Sequence, residues 1–193
     1  MYDLIKIKKQ LEKALDHKRY EHTLGVAYTS AALAMRYEED ILKAQVAGLL
    51  HDCAKCMDNE KKVAICQKHH IKISEAEERN HFLLHAKVGA YVAEKKYHVK
   101  DEDILNAVTY HTTGRPGMSL LEKIVYVADY IEPGRDHAKN LPEIRKLAFQ
   151  DLDQALVKIL NDILVHLKEI NKEIDPMTQL SYEYYKELMS YED

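Results

Sequence analysis

The chain is predicted to be all-α, a bundle of about eight or nine helices forming one domain over residues 1–193. Three observations lead there. Apolar residues recur at three- and four-residue spacing, two Ser-x-x-Glu runs mark helix starts, and no run alternates convincingly at period two. Six Gly and four Pro are the only strong punctuation.

The elements follow in order. Leu4, Ile7, Leu11 and Ala14 make a first apolar stripe; Leu24, Tyr28, Ala31 and Met35 a second; Leu42, Val46 and Leu49-Leu50 a third. Ser74-Glu75-Ala76-Glu77 and Ser119-Leu120-Leu121-Glu122 match the capping box, in which each end of the motif satisfies a free backbone N–H of the first turn. Asp101 is placed to cap a helix carrying Ile104, Val108 and His111. Pro142 suits the first turn of a long helix running towards Lys172, and Pro176 closes that run before a final short helix. The run Tyr182-Glu183-Tyr184-Tyr185 reads as part of a capping helix.

Composition narrows the function classes. A net charge of −4 supplies no basic field for nucleic acid or an anionic membrane, and no apolar run approaches a bilayer span. The N-terminus lacks the apolar core of a signal peptide, so the expected location is the cytoplasm. Three Cys fit a reducing compartment. Cys53-Ala54-Lys55-Cys56 is formally a C-x-x-C, but it has neither the second pair a zinc site needs nor a βαβ setting for redox chemistry.

The residues that carry chemistry form an ordered set: His22, His51-Asp52, His85, His111 and Asp129. A vicinal His-Asp pair offers an imidazole nitrogen beside a carboxylate whose two oxygens can serve two cations, a donor mix suited to borderline divalent metals. Each member sits within or at the end of an apolar stretch. His111 continues the Ile104 and Val108 face, and Asp129 lies four residues past Val125. Polar groups on buried faces need partners, and a cation is one. The remaining imidazoles (His17, His69, His70, His98, His137 and His166) read as ordinary structural histidines.

This order resembles the HD-domain superfamily of metal-dependent phosphohydrolases. The extra pair His85 and His111 is similar to its two-metal branch. The stretch from Tyr110 to Arg135, with His-Thr-Thr-Gly-Arg-Pro-Gly and Val-Ala-Asp-Tyr-Ile-Glu-Pro, resembles the YqeK-type branch, the symmetrical bis(5′-nucleosyl)-tetraphosphatases. The resemblance spans essentially the whole chain. It implies hydrolysis of diadenosine tetraphosphate to two ADP by a metal-activated hydroxide, with ADP or GDP as a product-like ligand. It also implies that His22, His51, Asp52 and Asp129 hold one metal, with Asp52 bridging to a second completed by His85 and His111. Two iron ions are implied, although manganese, cobalt or zinc suit the same donors. Two departures stand out: Ala86-Lys87 where the family has Gly-Pro, and an unfamiliar segment over residues 136–140.

Lys55, one turn past the His-Asp pair, and Arg115, inside Gly-Arg-Pro-Gly, are candidates to meet phosphate, with Asp52 beside them as a catalytic residue. Arg135 and His81 are further substrate candidates, while Tyr110 and Tyr130 fit either base contact or the core. Two other readings stand beside this one. Another HD-type hydrolase (a nucleotidase or nucleoside triphosphate hydrolase) would use the same chemistry, whereas a nucleotide sensor would use metal for structure alone. A cyclic-dinucleotide phosphodiesterase is disfavoured because no Gly-Tyr-Pro follows the His-Asp pair. A homodimer is expected only from its general prevalence.

Overall fold

The computed structural model describes residues 2–136 and 138–190. Its α-helices are α1 Leu4–Ala14, α2 His17–Tyr37, α3 Ile41–Leu50, α4 Asn59–Lys68, α5 Glu75–Arg79, α6 His85–Tyr97, α7 Glu102–Tyr110, α8 Leu120–Ile131, α9 Leu141–Ala148, α10 Leu152–Glu169 and α11 Pro176–Ser190. A single 3-10 turn, His81–Leu84, joins α5 to α6. The class is as predicted, but eleven α-helices among the described residues exceed the eight or nine expected.

Local chemistry explains where most helices begin. Both capping boxes form, with Ser74 and Ser119 accepting from the N–H groups of Glu77 and Glu122. Asp101 caps α7 by accepting from the N–H groups of Asp103 and Ile104. The long helix expected from Pro142 to Lys172 is instead two, because Asp151 turns extended and caps α10 by accepting from Gln154 N–H. A side-chain cap offers a stable restart that the hydrophobic pattern hides. The final helix is longer than expected, at 15 residues, and Pro176 is its first residue.

The second predicted stripe is rotated. Helix α2 buries Thr23, Val26, Ala27, Ser30, Ala31, Leu33 and Ala34, leaving Tyr28 and Met35 exposed. Small residues win this face because α3 lies close against it. A Cβ on Gly48 would stand 2.8 Å from the Ala27 Cα, so only glycine permits the approach.

Helix α8 occupies the centre, packed on α2, α3, α7 and α10, and buries Leu121, Ile124, Val125, Tyr126, Val127, Ala128 and Ile131. Fully burying each branched aliphatic contributes about 1.5–3 kcal/mol. That anchors the C-terminal end of α8, where Asp129 sits. A smaller cluster of Ala54, Cys66, Leu84 and Val88 lies where α4 meets the 3-10 turn. Cys53 and Cys66 are buried free thiols, and exposed Cys56 bonds Asp16, so the C-x-x-C forms no disulfide. Among the described residues, no helix is long and apolar enough to cross a membrane.

Candidate metal centre

Five helices deliver the six expected residues to one place. His22 lies early on α2; His51 and Asp52 follow α3; His85 opens α6; His111 follows α7; Asp129 comes from α8. His51, His85 and His111 share one local device. Each ring Nδ1 donates to the carbonyl three residues back (Gly48, Phe82 and Val108 respectively) at 2.7 Å. That bond fixes the tautomer and leaves Nε2 as an acceptor aimed inward.

Asp52 holds the middle, only 2% exposed. Its Oδ1 lies 3.2 Å from His85 Nε2 and 3.4 Å from His111 Nε2. Its Oδ2 lies 3.5 Å from His51 Nε2. On the far side, Asp129 Oδ1 is 3.0 Å from His22 Nε2 and 3.8 Å from His51 Nε2. Two donor groups result, His22 with His51 and Asp129, and His51 with Asp52 and His111, the ligand atoms of each lying within 4.8 Å of one another.

The residues present fit divalent cations on a structural test. His51 Nε2 and Asp52 Oδ1 are buried without a hydrogen-bond partner. His85 Nε2 and His111 Nε2, both left as acceptors by their carbonyl bonds, face each other at 3.2 Å. Lone pairs turned on lone pairs require a cation or donor between them. Lys55 supplies part of that need, its Nζ lying 2.9 Å from His85 Nε2 and 3.5 Å from Asp52 Oδ1.

The electrostatics keep Asp52, Asp129 and His85 in ligating form. Burial alone would raise Asp52, but the imidazoles of His51, His111 and His85 gathered around it hold its carboxyl well below the usual range. Asp129 is likewise held down by the neighbouring His22 and His51 rings and by Arg135. Burial pushes His85 down to about 4, so this imidazole stays neutral at pH 7.

A family model for the HD domain matches residues 19–134, which contain the whole set. The chain belongs to the HD domain family. It is 42% identical over 174 residues to the symmetrical bis(5′-nucleosyl)-tetraphosphatase of Bacillus subtilis, covering 90% of this chain and 92% of that one. A Staphylococcus aureus protein of the same name is 36% identical, with 92% and 94% covered. Among solved structures, a protein from Clostridium acetobutylicum described as a predicted HD superfamily hydrolase involved in NAD metabolism superposes with a TM-score of 0.93 at 42% identity. That match covers 97% of this chain and 98% of its own.

Within this HD domain, three cations reach the donor cluster. Lys55 is one. Arg135 grips Asp129 Oδ1 at 2.6 Å. Arg19 holds Asp52 Oδ2 at 2.8 Å, and sequence reasoning assigned it no role. Its signal was its position three residues before His22 on the same helix face. Glu132 was missed too. Buried at 3% exposure, it takes His22 Nδ1 at 3.0 Å and Gly134 N–H at 2.6 Å. Gly25 makes room for it, since a Cβ there would meet Glu132 Oε2 at 2.4 Å.

Arg115 and His81 stand apart from the cluster contacts. Arg115 forks onto Glu122 through Nε at 2.7 Å and Nη2 at 2.8 Å and lies over the Tyr110 ring. Glu122 is also the capping-box acid of α8, so this pair ties the loop after His111 to the helix carrying Asp129. His81 is exposed at the start of the 3-10 turn. His137 and part of its unfamiliar segment lie outside the described residues.

Proposed function

We propose that this HD-family hydrolase cleaves diadenosine tetraphosphate and related dinucleoside polyphosphates symmetrically, yielding two nucleoside diphosphates. The observation that carries the reading is Asp52, whose two oxygens face different imidazoles, Oδ1 towards His85 and His111 and Oδ2 towards His51. A carboxylate so divided suits two cations. Near-full-length identity to relatives named for symmetrical tetraphosphate cleavage supports the substrate class.

His22, His51, Asp52 and Asp129 would hold one divalent ion, with Asp52, His85 and His111 holding the other. Iron is the ion we favour; manganese, cobalt and zinc suit the same nitrogen and oxygen donors. Ions bound there supply Lewis acidity, drawing charge from phosphoryl oxygens and acidifying water. The protein's own part is charge and position. Lys55, largely buried, meets phosphoryl oxygen beside His85, and Arg19 and Arg135 flank the same cluster with guanidinium forks suited to phosphate. Arg115 has one edge outside its Glu122 bonds and would reach a second phosphate from the loop. A cavity of about 240 Å³ opens between His111 and Arg135, walled by Tyr126, Tyr130, Ile159 and Ile163. Its aromatic and aliphatic walls suit a nucleoside half. We read residues 1–193 as one catalytic unit working in the cytoplasm, acting on neither nucleic acid nor membrane, with a homodimer as the working assembly.

The test is product analysis of anaerobically purified protein given ferrous or manganous ion and diadenosine tetraphosphate. ADP as sole product establishes the proposed cleavage. AMP with ATP would move the cut by one phosphate, and no turnover with metal bound would remove this substrate class.

A further inference from the structure

Lys62, on α4, is 1% exposed, among the largest fully buried side chains of the protein. A lysine so enclosed along its stem ordinarily has an acid partner at its ammonium, because drawing that charge away from bulk water is costly. Among the described residues Lys62 has none. Its one side-chain partner is the Phe82 ring, 5.3 Å from Nζ to centroid. Asp58, a turn earlier, acts on it only through space. The same ring receives Lys55 Nζ at 4.6 Å. Two like charges thus converge on the weakly negative face of one phenyl group, which is itself 46% exposed at the surface. Burial and the neighbouring Lys55 charge both push the Lys62 ammonium below its usual range, as expected of a cation lacking its counter-ion.

Lys55 links this pair to the cluster through His85, at 2.9 Å. Ordered outward from the cluster stand His85, Lys55, the Phe82 ring and Lys62. We propose that Lys62 is a polyphosphate-binding residue, taking a phosphate one place further along the substrate chain than the one Lys55 meets. This rests on the tetraphosphate reading above. A long polyanion gives the second lysine a purpose that a phosphomonoester would not. Phe82 then fills, in the free protein, a place where negative charge belongs.

Wild type, Lys62→Met and Lys62→Arg are compared after metal loading. Met keeps the apolar stem, so folding and bound metal are expected to match wild type. For Lys62→Met, KM for diadenosine tetraphosphate should rise and ADP affinity fall by about ten- to hundredfold, with kcat within about twofold and Lys62→Arg recovering most of the loss. Calorimetric titration with inorganic tripolyphosphate should show the same weakening and needs no turnover. Tripolyphosphate and ADP affinities unchanged in Lys62→Met, with metal content intact, would overturn the proposal. So would a Lys62→Arg variant that folds yet recovers nothing. Failure of wild type to cleave the tetraphosphate would instead sink the substrate reading, while the tripolyphosphate titration still decides Lys62.

Discussion

Replacing Glu132 by Gln separates the role of a hydrogen bond from the role of a tautomer. Glu132 accepts twice, from His22 Nδ1 at 3.0 Å and from Gly134 N–H at 2.6 Å, and it is 3% exposed. Gln keeps the shape but offers one acceptor and one donor. With its oxygen on Gly134, its amide NH2 faces His22 Nδ1. An unpaired buried donor there would cost about 1–3 kcal/mol. The ring escapes that cost by moving its proton: Nδ1 becomes the acceptor, and Nε2–H donates to Asp129 Oδ1, already 3.0 Å away. The metal-free protein therefore loses little stability, about 1 kcal/mol or less. The price appears on metal binding, because Nε2 now carries a proton where a ligand needs a lone pair. Loss of such an orienting partner weakens metal affinity by about 10–100-fold, or about 1.4–2.8 kcal/mol. Competition against a chelator measures the affinity, thermal unfolding without metal measures the stability, and imidazole nitrogen shifts identify the tautomer. Metal affinity within about twofold of wild type would refute the reasoning, as would a large loss of metal-free stability.

Other substitutions and conditions test separate parts of the site. Asp52→Asn should strip most bound metal and abolish turnover, since the two oxygens of this carboxylate face different candidate ligands; metal analysis with normal occupancy would contradict the bridging role. Arg115→Ala should destabilise the fold by about 2 kcal/mol in urea, less than for a fully buried pair because Arg115 is 31% exposed, while leaving Glu122 buried without its partner. It should also raise KM at constant metal content; an unchanged KM would limit Arg115 to tying its loop to α8. Without metal, stability should fall between pH 6.5 and about 4. His85 is lowered to about 4 in the fold, so its contribution is full above the ordinary imidazole value and is lost on acidification, by up to about 3 kcal/mol. His51 is raised, which leaves its own contribution at full strength in that window. Melting temperatures of chelator-treated protein at pH 7, 5.5 and 4.5 check this, and a flat series would exclude it.

What the sequence revealed of this site was what local chemistry determines. Asp101, Ser74 and Ser119 bond N–H groups two or three residues away, and such caps are visible in any window containing them. The candidate ligands were visible from their order and their apolar settings, and the structure adds that His51, His85 and His111 each bond a carbonyl three residues back. Their partners were not. Glu132 meets His22 from 110 residues away and Arg19 meets Asp52 across 33, pairings that exist only once α2, α3 and α8 have packed. The α2 stripe failed because apolar period says which residues could be inside. It does not say that Gly48 would bring α3 close enough to prefer Ala27 and Ser30 over Tyr28 and Met35. Lys62 was unreadable for the same reason, since it meets Phe82 only once α4 has packed on the 3-10 turn.

The placement of these histidines at helix ends has a physical logic that joins fold to function. The last carbonyls of a helix lack intrahelical donors and carry partial negative charge. At α3 and α7, the carbonyls of Gly48 and Val108 take imidazole Nδ1–H bonds, so groups the helix leaves free become the means of aiming Nε2. Asp129, in the last turn of α8, brings a third C-terminus to the same place. The cluster is thus favourable to cations before any carboxylate is counted. Arg19 and Arg135 hold oxygens of Asp52 and Asp129, and Lys55 faces His85. Divalent cations bound there would compete with these side chains for the same lone pairs. Two divalent ions against two carboxylates would leave the site positively charged, and any arginine or lysine displaced from those oxygens would add to that charge. A polyphosphate is the kind of ligand that such an excess attracts, and a longer chain engages more of it.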